Sequence, residues 1–118
     1  MAFVDVDGLK ATNDQHGHAA GDRLLVEVAH TLRRRLRPYD LIIRYGGDEF
    51  VCVLTGMSAD GAQERMDRVN AALADAPDHG SVTSGVVDLR DGETADEVVA
   101  RADAALYETR RRTRDLHQ

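Results

Sequence analysis

The stretch that decides the fold is LIIRYGGDEFVCVLT, residues 41–55. Two apolar, strand-like runs at residues 41–45 and 50–55 flank the turn sequence Gly46-Gly47-Asp48-Glu49, and this pattern predicts a β-hairpin. A glycine pair permits positive φ and acids are common in turns, so an ordinary hairpin bend accounts for these residue types when they are taken alone. Both runs are apolar at successive positions, which predicts a central pair of strands covered on both faces.

Upstream of the hairpin, residues 2–4 are apolar, and Asp5 and Asp7 follow them. This pattern predicts a short buried strand whose carboxyl end carries charge. Residues 8–16 are interpreted as a short helical or irregular connection. Leucine and valine then recur at helical spacing, which predicts an amphipathic helix over residues 22–36 that Asp22 caps and Pro38 stops.

Downstream of the hairpin, Ser58 is placed to cap a helix, and residues 81–88 have the composition of a strand. Thr94 and Glu97 have the spacing of a capping box at the start of a last helix. The predicted order is therefore β-α-β-β-α-β-α, which is typical of an α+β fold with a mostly antiparallel central sheet flanked by helices.

Composition narrows the possible functions. The 118 residues suit one domain, and the net charge of −6 disfavours a general nucleic-acid binder, since phosphate backbones need basic surfaces. A polyanionic ligand would need metal ions or a local basic cluster. Cys52, the only cysteine, lies in an apolar run and is predicted to be a buried hydrophobe, which fits a reducing cytoplasmic location. No apolar stretch is long enough for a membrane segment.

The acids at the two predicted strand ends suggest chemistry. If the hairpin pairs beside the first strand, Asp5 and Asp48 approach each other, and their carboxylates repel unless a cation lies between them. Mg²⁺ suits such a site because it takes oxygen ligands and keeps positions open for water or phosphate. Solvated acids at a strand end are the competing interpretation, and for an isolated Asp-x-Asp pattern that interpretation is favoured.

The complete set of motifs closely resembles the GGDEF domain of diguanylate cyclases. The resemblance covers nearly the whole chain, so residues 1–118 are interpreted as one such domain, and it implies a palm-like fold related to class III adenylyl cyclases and polymerase palms. The motifs that carry it are DVDGLK (5–10), Asn13-Asp14, Gly17-His18, Gly21-Asp22, RYGGDEF (44–50), Ala102-Asp103 and Ala105-Leu106-Tyr107, followed by basic Arg110 and Arg114.

The resemblance also implies roles for individual residues. Asp5, the backbone carbonyl of Val6, and Asp48 would bind Mg²⁺, with Mn²⁺ as a possible substitute, and Glu49 would assist as an acid beside the metal. Asp48 is the expected proton acceptor. The implied GTP-binding residues are Asn13, Asp22 and His18 around the guanine, the backbone N–H groups of Gly8 and Leu9 at the phosphates, and the cations Lys10, Arg110 and Arg114.

A product-binding site is implied as well. Arg37-Pro38-Tyr39-Asp40 lies where many of these cyclases carry an R-x-x-D inhibitory site for cyclic di-GMP. Arginine can fork onto guanine or phosphate, and aspartate can accept from guanine N–H groups. An arginine that ends a helix before a proline turn is the competing interpretation; the position relative to Gly46 favours the inhibitory site.

The implied reaction joins two GTP molecules into cyclic di-GMP and pyrophosphate, and it requires a homodimer because each domain holds one GTP. The chain departs from the family pattern in three respects: the usual N-terminal helix with its D-x-L-T-x-L-x-N-R segment does not precede the first strand, Arg110 and Thr113 replace a usual Lys and Gly, and a final edge strand is not seen. The alternative is therefore a catalytically inactive, truncated GGDEF domain that binds GTP or cyclic di-GMP as a signalling module. A generic α+β interaction domain would leave the acids unexplained.

Overall fold

The computed structural model describes residues 1–116, which form one antiparallel sheet and four helices. The strands have the order β2-β3-β1-β4 across the sheet, and each neighbouring pair is antiparallel. The elements in chain order are β1 (Ala2–Val6), α1 (Leu9–His16), α2 (His18–Arg35), β2 (Leu41–Arg44), β3 (Glu49–Val53), α3 (Ala59–Asp75), β4 (Val82–Val86) and α4 (Ala95–Leu116). The predicted α+β class with an antiparallel sheet is confirmed.

Alternation along β1 divides the core between the two faces of the sheet, because successive side chains of a strand point to opposite sides. Val4 and its neighbours of the same parity pack into the larger cluster, with side chains of α2 and α3 such as Leu32 and Met66. Phe3 points to the other face, where it joins a smaller cluster with Leu106 of α4. β1 is therefore buried along its whole length and is the central strand from which the site is built.

The hairpin is confirmed, but the predicted cover of both of its strands on both faces is wrong. β2 is the edge strand, and Leu41 and Ile43 are exposed by half or more. A run of apolar residues therefore did not indicate cover on both faces here. Gly46 and Gly47 also do not adopt positive φ, since within residues 1–116 the glycines that do are Gly8, Gly17, Gly56 and Gly92.

The connection after β1 is more regular than predicted. Residues 9–16 form a helix of their own, and α2 begins at His18 after Gly17, so Asp22 lies inside α2 and does not cap it. Gly17 separates the two helices because its φ of 89° is a conformation that other residues rarely adopt. The observed order is therefore β-α-α-β-β-α-β-α.

The other helix starts and the cysteine agree with the sequence predictions. The Ser58 hydroxyl accepts a hydrogen bond from the backbone N–H of Gly61, and the Thr94 hydroxyl accepts one from Glu97. Cys52 is fully buried, and burial raises the pKa of its thiol to about 12. Within residues 1–116, no helix has both the length and the apolar character that crossing a membrane requires.

Candidate active site

The end of β1 and the hairpin bend lie side by side. Asp5 is directly opposite Glu49 in the antiparallel pair of β1 and β3. The backbone N–H of Val6 donates to the backbone oxygen of Asp48 over 2.9 Å. The predicted meeting of the strand end with the bend is therefore confirmed, and we call Asp5, Asp48 and Glu49 the acid cluster.

The acid cluster concentrates negative charge in a partly buried place. The pKa of the Asp5 carboxyl is raised to about 6, and burial is the largest cause. The Arg110 guanidinium opposes this rise, while the negative charges of Asp48 and Glu49 add to it. Burial likewise raises the pKa of Glu49, and the charge of Asp48 adds to this effect. Both raised pKa values show that full ionisation of the acid cluster is energetically unfavourable in the fold.

The pKa of Asp5 predicts how stability depends on pH. The folded pKa of this carboxyl lies near 6, above its ordinary value of 3.8. Its protonated form therefore stabilises the fold below pH 3.8, and this contribution is lost as the pH rises through 6. With a chelator present to remove metal ions, the free energy of unfolding is measured for wild type and for Asp5→Asn. The value for wild type, relative to that of the variant, should fall by about 2 kcal/mol between roughly pH 4 and pH 7. Urea titrations at both pH values measure this difference; parallel pH profiles of the two proteins would contradict the assignment.

The cluster fits a divalent cation. Asp5 Oδ1 is buried and has no hydrogen-bond partner within the described residues, and its carboxylate is adjacent to two others. The three acids are not close enough together to form a complete ligand set by themselves, since no group of three or more His, Cys, Asp or Glu side chains among residues 1–116 could hold a metal ion. The predicted set of two carboxylates and the Val6 carbonyl would therefore leave coordination positions for water or for oxygens of a ligand, which is the usual arrangement for Mg²⁺.

The bend has a reason for its first glycine. A Cβ at Gly46 would lie 2.5 Å from the Glu49 carboxylate, so glycine lets that carboxylate lie back over the bend. Arg44 fixes the same bend from the outside, since its guanidinium donates to the backbone oxygens of Gly46 and Gly47 at 3.3 and 2.9 Å. The sequence alone predicts no role for Arg44, although this residue begins the RYGGDEF motif.

The predicted guanine-binding residues lie on the α1–α2 pair. A Cβ at Gly21 would lie 1.7 Å from Asn13 Oδ1, so the side chain of Asn13 packs directly on α2, one residue before Asp22. Asn13 Oδ1 is buried and has no partner within the described residues. Asp22 lines a cavity of about 870 Å³ that none of the acid cluster borders. His18, the first residue of α2, is exposed.

The start of α1 lies just after the end of β1. Gly8 precedes the helix with φ 68°, and no side chain caps the helix there. The first N–H groups of a helix have no partners within it, and they favour anions. The N–H groups of Leu9 and its neighbours, with exposed Lys10 in the first turn, therefore suit a phosphate.

Arg110 of α4 also contacts the acid cluster. Its Nη2 is 3.0 Å from Asp5 Oδ2 and 3.6 Å from Asp7 Oδ1. Asp7 itself accepts hydrogen bonds from the Ser81 and Thr83 hydroxyls at 2.7 and 2.6 Å. Arg114, the other predicted cation of α4, is exposed one turn further on.

The described residues therefore provide an acid cluster followed along the chain by a helix start suited to phosphate. Separately, the amide of Asn13 packs on the turn of α2 that carries Asp22. The sequence model of the family described as "Diguanylate cyclase, GGDEF domain" matches residues 1–116. The chain belongs to the GGDEF family. The resemblance inferred from the motifs is thereby confirmed.

Named relatives of this GGDEF domain support the same family. It is 39% identical to diguanylate cyclase DgcP of Pseudomonas aeruginosa, over 98% of this chain and 18% of that protein. It is 35% identical to diguanylate cyclase A of Treponema denticola, over 98% of this chain and 33% of that one. The chain thus spans a third or less of these two curated relatives.

Solved structures give the same fold. The diguanylate cyclase SiaD of Pseudomonas aeruginosa, in complex with its activator SiaC, superposes with a TM-score of 0.84 at 38% identity, covering 93% of this chain and 45% of that one. The GGDEF domain of DgcB from Caulobacter crescentus, in complex with c-di-GMP, superposes with a TM-score of 0.85 at 29% identity, covering 93% and 70%.

The arginine and the aspartate of the R-x-x-D motif in this GGDEF domain form an ion pair with each other. Arg37 donates to the Asp40 carboxylate through both its backbone N–H and its guanidinium, and the Asp40 side chain is fully buried. Burial alone would raise the pKa of Asp40, but the hydrogen bonds from Arg37 outweigh it and the pKa lies below its ordinary value. Arg37 also lies over the Tyr39 ring at 4.7 Å. Only the arginine of this pair faces solvent.

Two groups of residues in the site of this GGDEF domain were missed from the sequence. Thr83 of β4 and Ser81, just before that strand, hold Asp7, and the Asn70 side chain bonds both the N–H and the oxygen of Val82. Ser81 and Thr83 alternate as one face of a strand does, which is a usable signal once β4 is known to lie beside β1.

Proposed function

We propose that this GGDEF domain is a diguanylate cyclase that condenses two GTP molecules into cyclic di-GMP and pyrophosphate with Mg²⁺ or Mn²⁺. The observation that carries the proposal is the pairing of Asp5 with Glu49, which sets the acid cluster beside the start of α1. Relatives that are named as diguanylate cyclases support this class of reaction, and the motif resemblance implies GTP as the substrate.

Asp5, Asp48 and the Val6 carbonyl would hold the metal. When bound, the metal supplies positive charge that stabilises the attacking oxygen and the departing pyrophosphate. The remaining work belongs to the protein's own groups, and most of it is positioning.

Asp48 accepts the proton from the 3′-hydroxyl of the attacking GTP, directly or through water, while Glu49 adds negative charge beside it. The guanine edge is read by Asn13 and Asp22, because an amide and a carboxylate match its acceptor and donor groups. His18, which is exposed at the start of α2, would lie beside the same guanine.

The triphosphate meets positive charge at two places. The N–H groups of Gly8 and Leu9 approach it at the start of α1, with Lys10 in the same turn. Arg110 and Arg114 reach it from α4. A protein with a net charge of −6 needs this local concentration of cations to hold a polyanion.

The product contains two nucleotides and each domain holds one, so catalysis requires two domains face to face in a two-fold homodimer. GTP and a reduced, buried Cys52 both fit a cytoplasmic location. No role in binding nucleic acid is proposed, because the chain is acidic.

The direct test is to incubate the purified protein with GTP and Mg²⁺ and to detect cyclic di-GMP by chromatography. Formation of cyclic di-GMP and pyrophosphate that requires the metal supports the cyclase. Nucleotide binding by calorimetry without any product would favour the alternative, a binding module that holds GTP or cyclic di-GMP.

Product inhibition through Arg37 and Asp40 is the second part of the proposal. Since Asp40 is enclosed and bonded to Arg37, the guanidinium meets the product first, and Asp40 orients it. Arg37→Ala should therefore weaken cyclic di-GMP binding by at least about tenfold, as expected for loss of a charged hydrogen-bonding group.

Calorimetry with cyclic di-GMP measures this change, with Arg34→Ala as the matched control because Arg34 is an exposed arginine of α2 whose side chain makes no hydrogen bond within residues 1–116. The control should bind as wild type does. Equal affinities of wild type and Arg37→Ala would remove the inhibitory site and leave the cyclase proposal standing.

A further inference from the structure

Arg110 holds a position that a cation at the acid cluster would also need. Its Nη2 lies 3.0 Å from Asp5 Oδ2, and the Asp5 side chain is only 12% exposed. Asp5 is the most enclosed acid of the cluster and one of the two proposed metal-binding carboxylates. A guanidinium on Asp5 therefore satisfies a charge that a divalent ion would otherwise satisfy.

The same nitrogen reaches a second carboxylate. Arg110 Nη2 is 3.6 Å from Asp7 Oδ1, so a shift of less than 1 Å would move the ion pair from Asp5 to Asp7. Asp7 is fixed for this purpose, because the hydroxyls of Ser81 and Thr83 donate to its two oxygens at 2.7 and 2.6 Å. The side chain of Arg110 is itself 46% exposed, which leaves it free to move.

We infer that Arg110 and a divalent cation are alternative partners of the Asp5 carboxylate, and that Asp7 is a positioning residue that keeps Arg110 at the site when the cation is on Asp5. The inference rests on the proposed metal site. It goes further by giving the acid cluster a counter-charge of its own and by keeping Arg110 next to the expected triphosphate.

Exchange has a measurable consequence. If the cation must replace Arg110 on Asp5, part of its binding free energy is spent on breaking that ion pair. Because the Arg110 side of this ion pair is 46% exposed, the pair contributes up to about 1 kcal/mol, which corresponds to about fivefold in affinity. Arg110→Gln should therefore bind Mn²⁺ about fivefold more tightly than wild type does.

The test is a titration with Mn²⁺ alone, without nucleotide, in which electron paramagnetic resonance reports the free ion. Arg111→Gln is the matched control, since Arg111 is the next residue of α4, carries the same charge and pairs with Glu108. Tighter binding by Arg110→Gln with little change for Arg111→Gln supports exchange. Equal changes in both variants would show a general charge effect and overturn it.

A double-mutant cycle tests Asp7. Asp7→Asn should weaken Mn²⁺ binding in wild type, because Arg110 loses its second carboxylate, and it should weaken binding less in the Arg110→Gln background. Additive effects would reduce Asp7 to a source of charge and overturn its positioning role.

Failure of the exchange can be told apart from failure of the proposed function. If Mn²⁺ binds wild type and Arg110→Gln equally, or binds neither, exchange is overturned, while formation of cyclic di-GMP by the same protein preserves the cyclase. If Asp5→Asn binds Mn²⁺ as wild type does, the metal site lies elsewhere and both proposals fail.

Discussion

Asparagine in place of Asp48 is expected to lower the rate of cyclic di-GMP formation by about a thousandfold or more. The substitution removes both a proposed metal ligand and the proposed proton acceptor, and a general base alone contributes about 10²–10⁴-fold. The fold should survive, because the hydrogen bond that joins this residue to β1 uses its backbone oxygen, which accepts from Val6. Asparagine has the same shape and keeps that bond.

Two measurements separate chemistry from folding in this variant. The turnover rate is followed by chromatography of cyclic di-GMP, and the melting temperature by circular dichroism. The Asp103→Asn variant is the control, since Asp103 is an exposed acid of α4 whose charge raises the pKa of Glu49 without belonging to the cluster. It should retain turnover within about threefold. An Asp48→Asn protein that retains a tenth of wild-type turnover would refute the role given to Asp48.

The sequence identified the hairpin and β1 because each has a local pattern, but it misplaced β2 in the sheet. An apolar edge strand such as residues 41–44 has the same composition as a buried one, and only long-range pairing decides which it is. The sequence alone does not decide whether residues 9–16 form a helix. Their sequence LKATNDQH buries no residue, so it lacks the apolar period that indicates a helix.

The residues of the candidate site likewise differ in whether a local sequence pattern predicts them. Asp5, Asp48 and Glu49 could be grouped because each lies in a short motif at a predicted strand end. The contacts of Asp7 join residues 74 and 76 positions apart, and they depend on the register of β1 against β4. No local pattern carries that register, so the network around Arg110 appeared only in three dimensions.

Gly85 is the position where a single methyl group should damage the fold most. A Cβ there would lie 2.2 Å from both the Ala102 oxygen and the Leu106 nitrogen, and 2.8 Å from Leu106 Cα. These are backbone atoms of α4, so no side-chain rotation can relieve the overlap, and the helix must move away from β4. Gly85→Ala should therefore lower the free energy of unfolding by about 3 kcal/mol, the upper end of ordinary overpacking.

Urea unfolding followed by circular dichroism measures the loss, and Gly47→Ala is the matched control. A Cβ at Gly47 meets nothing within 4 Å and its φ is not positive, so that variant should unfold within about 0.5 kcal/mol of wild type. Because α4 also carries Arg110, its displacement should separate Arg110 from Asp5 as well. A Gly85→Ala protein as stable as Gly47→Ala would mean that α4 does not pack on β4 as closely as described, and the position of Arg110 would have to be reconsidered with it.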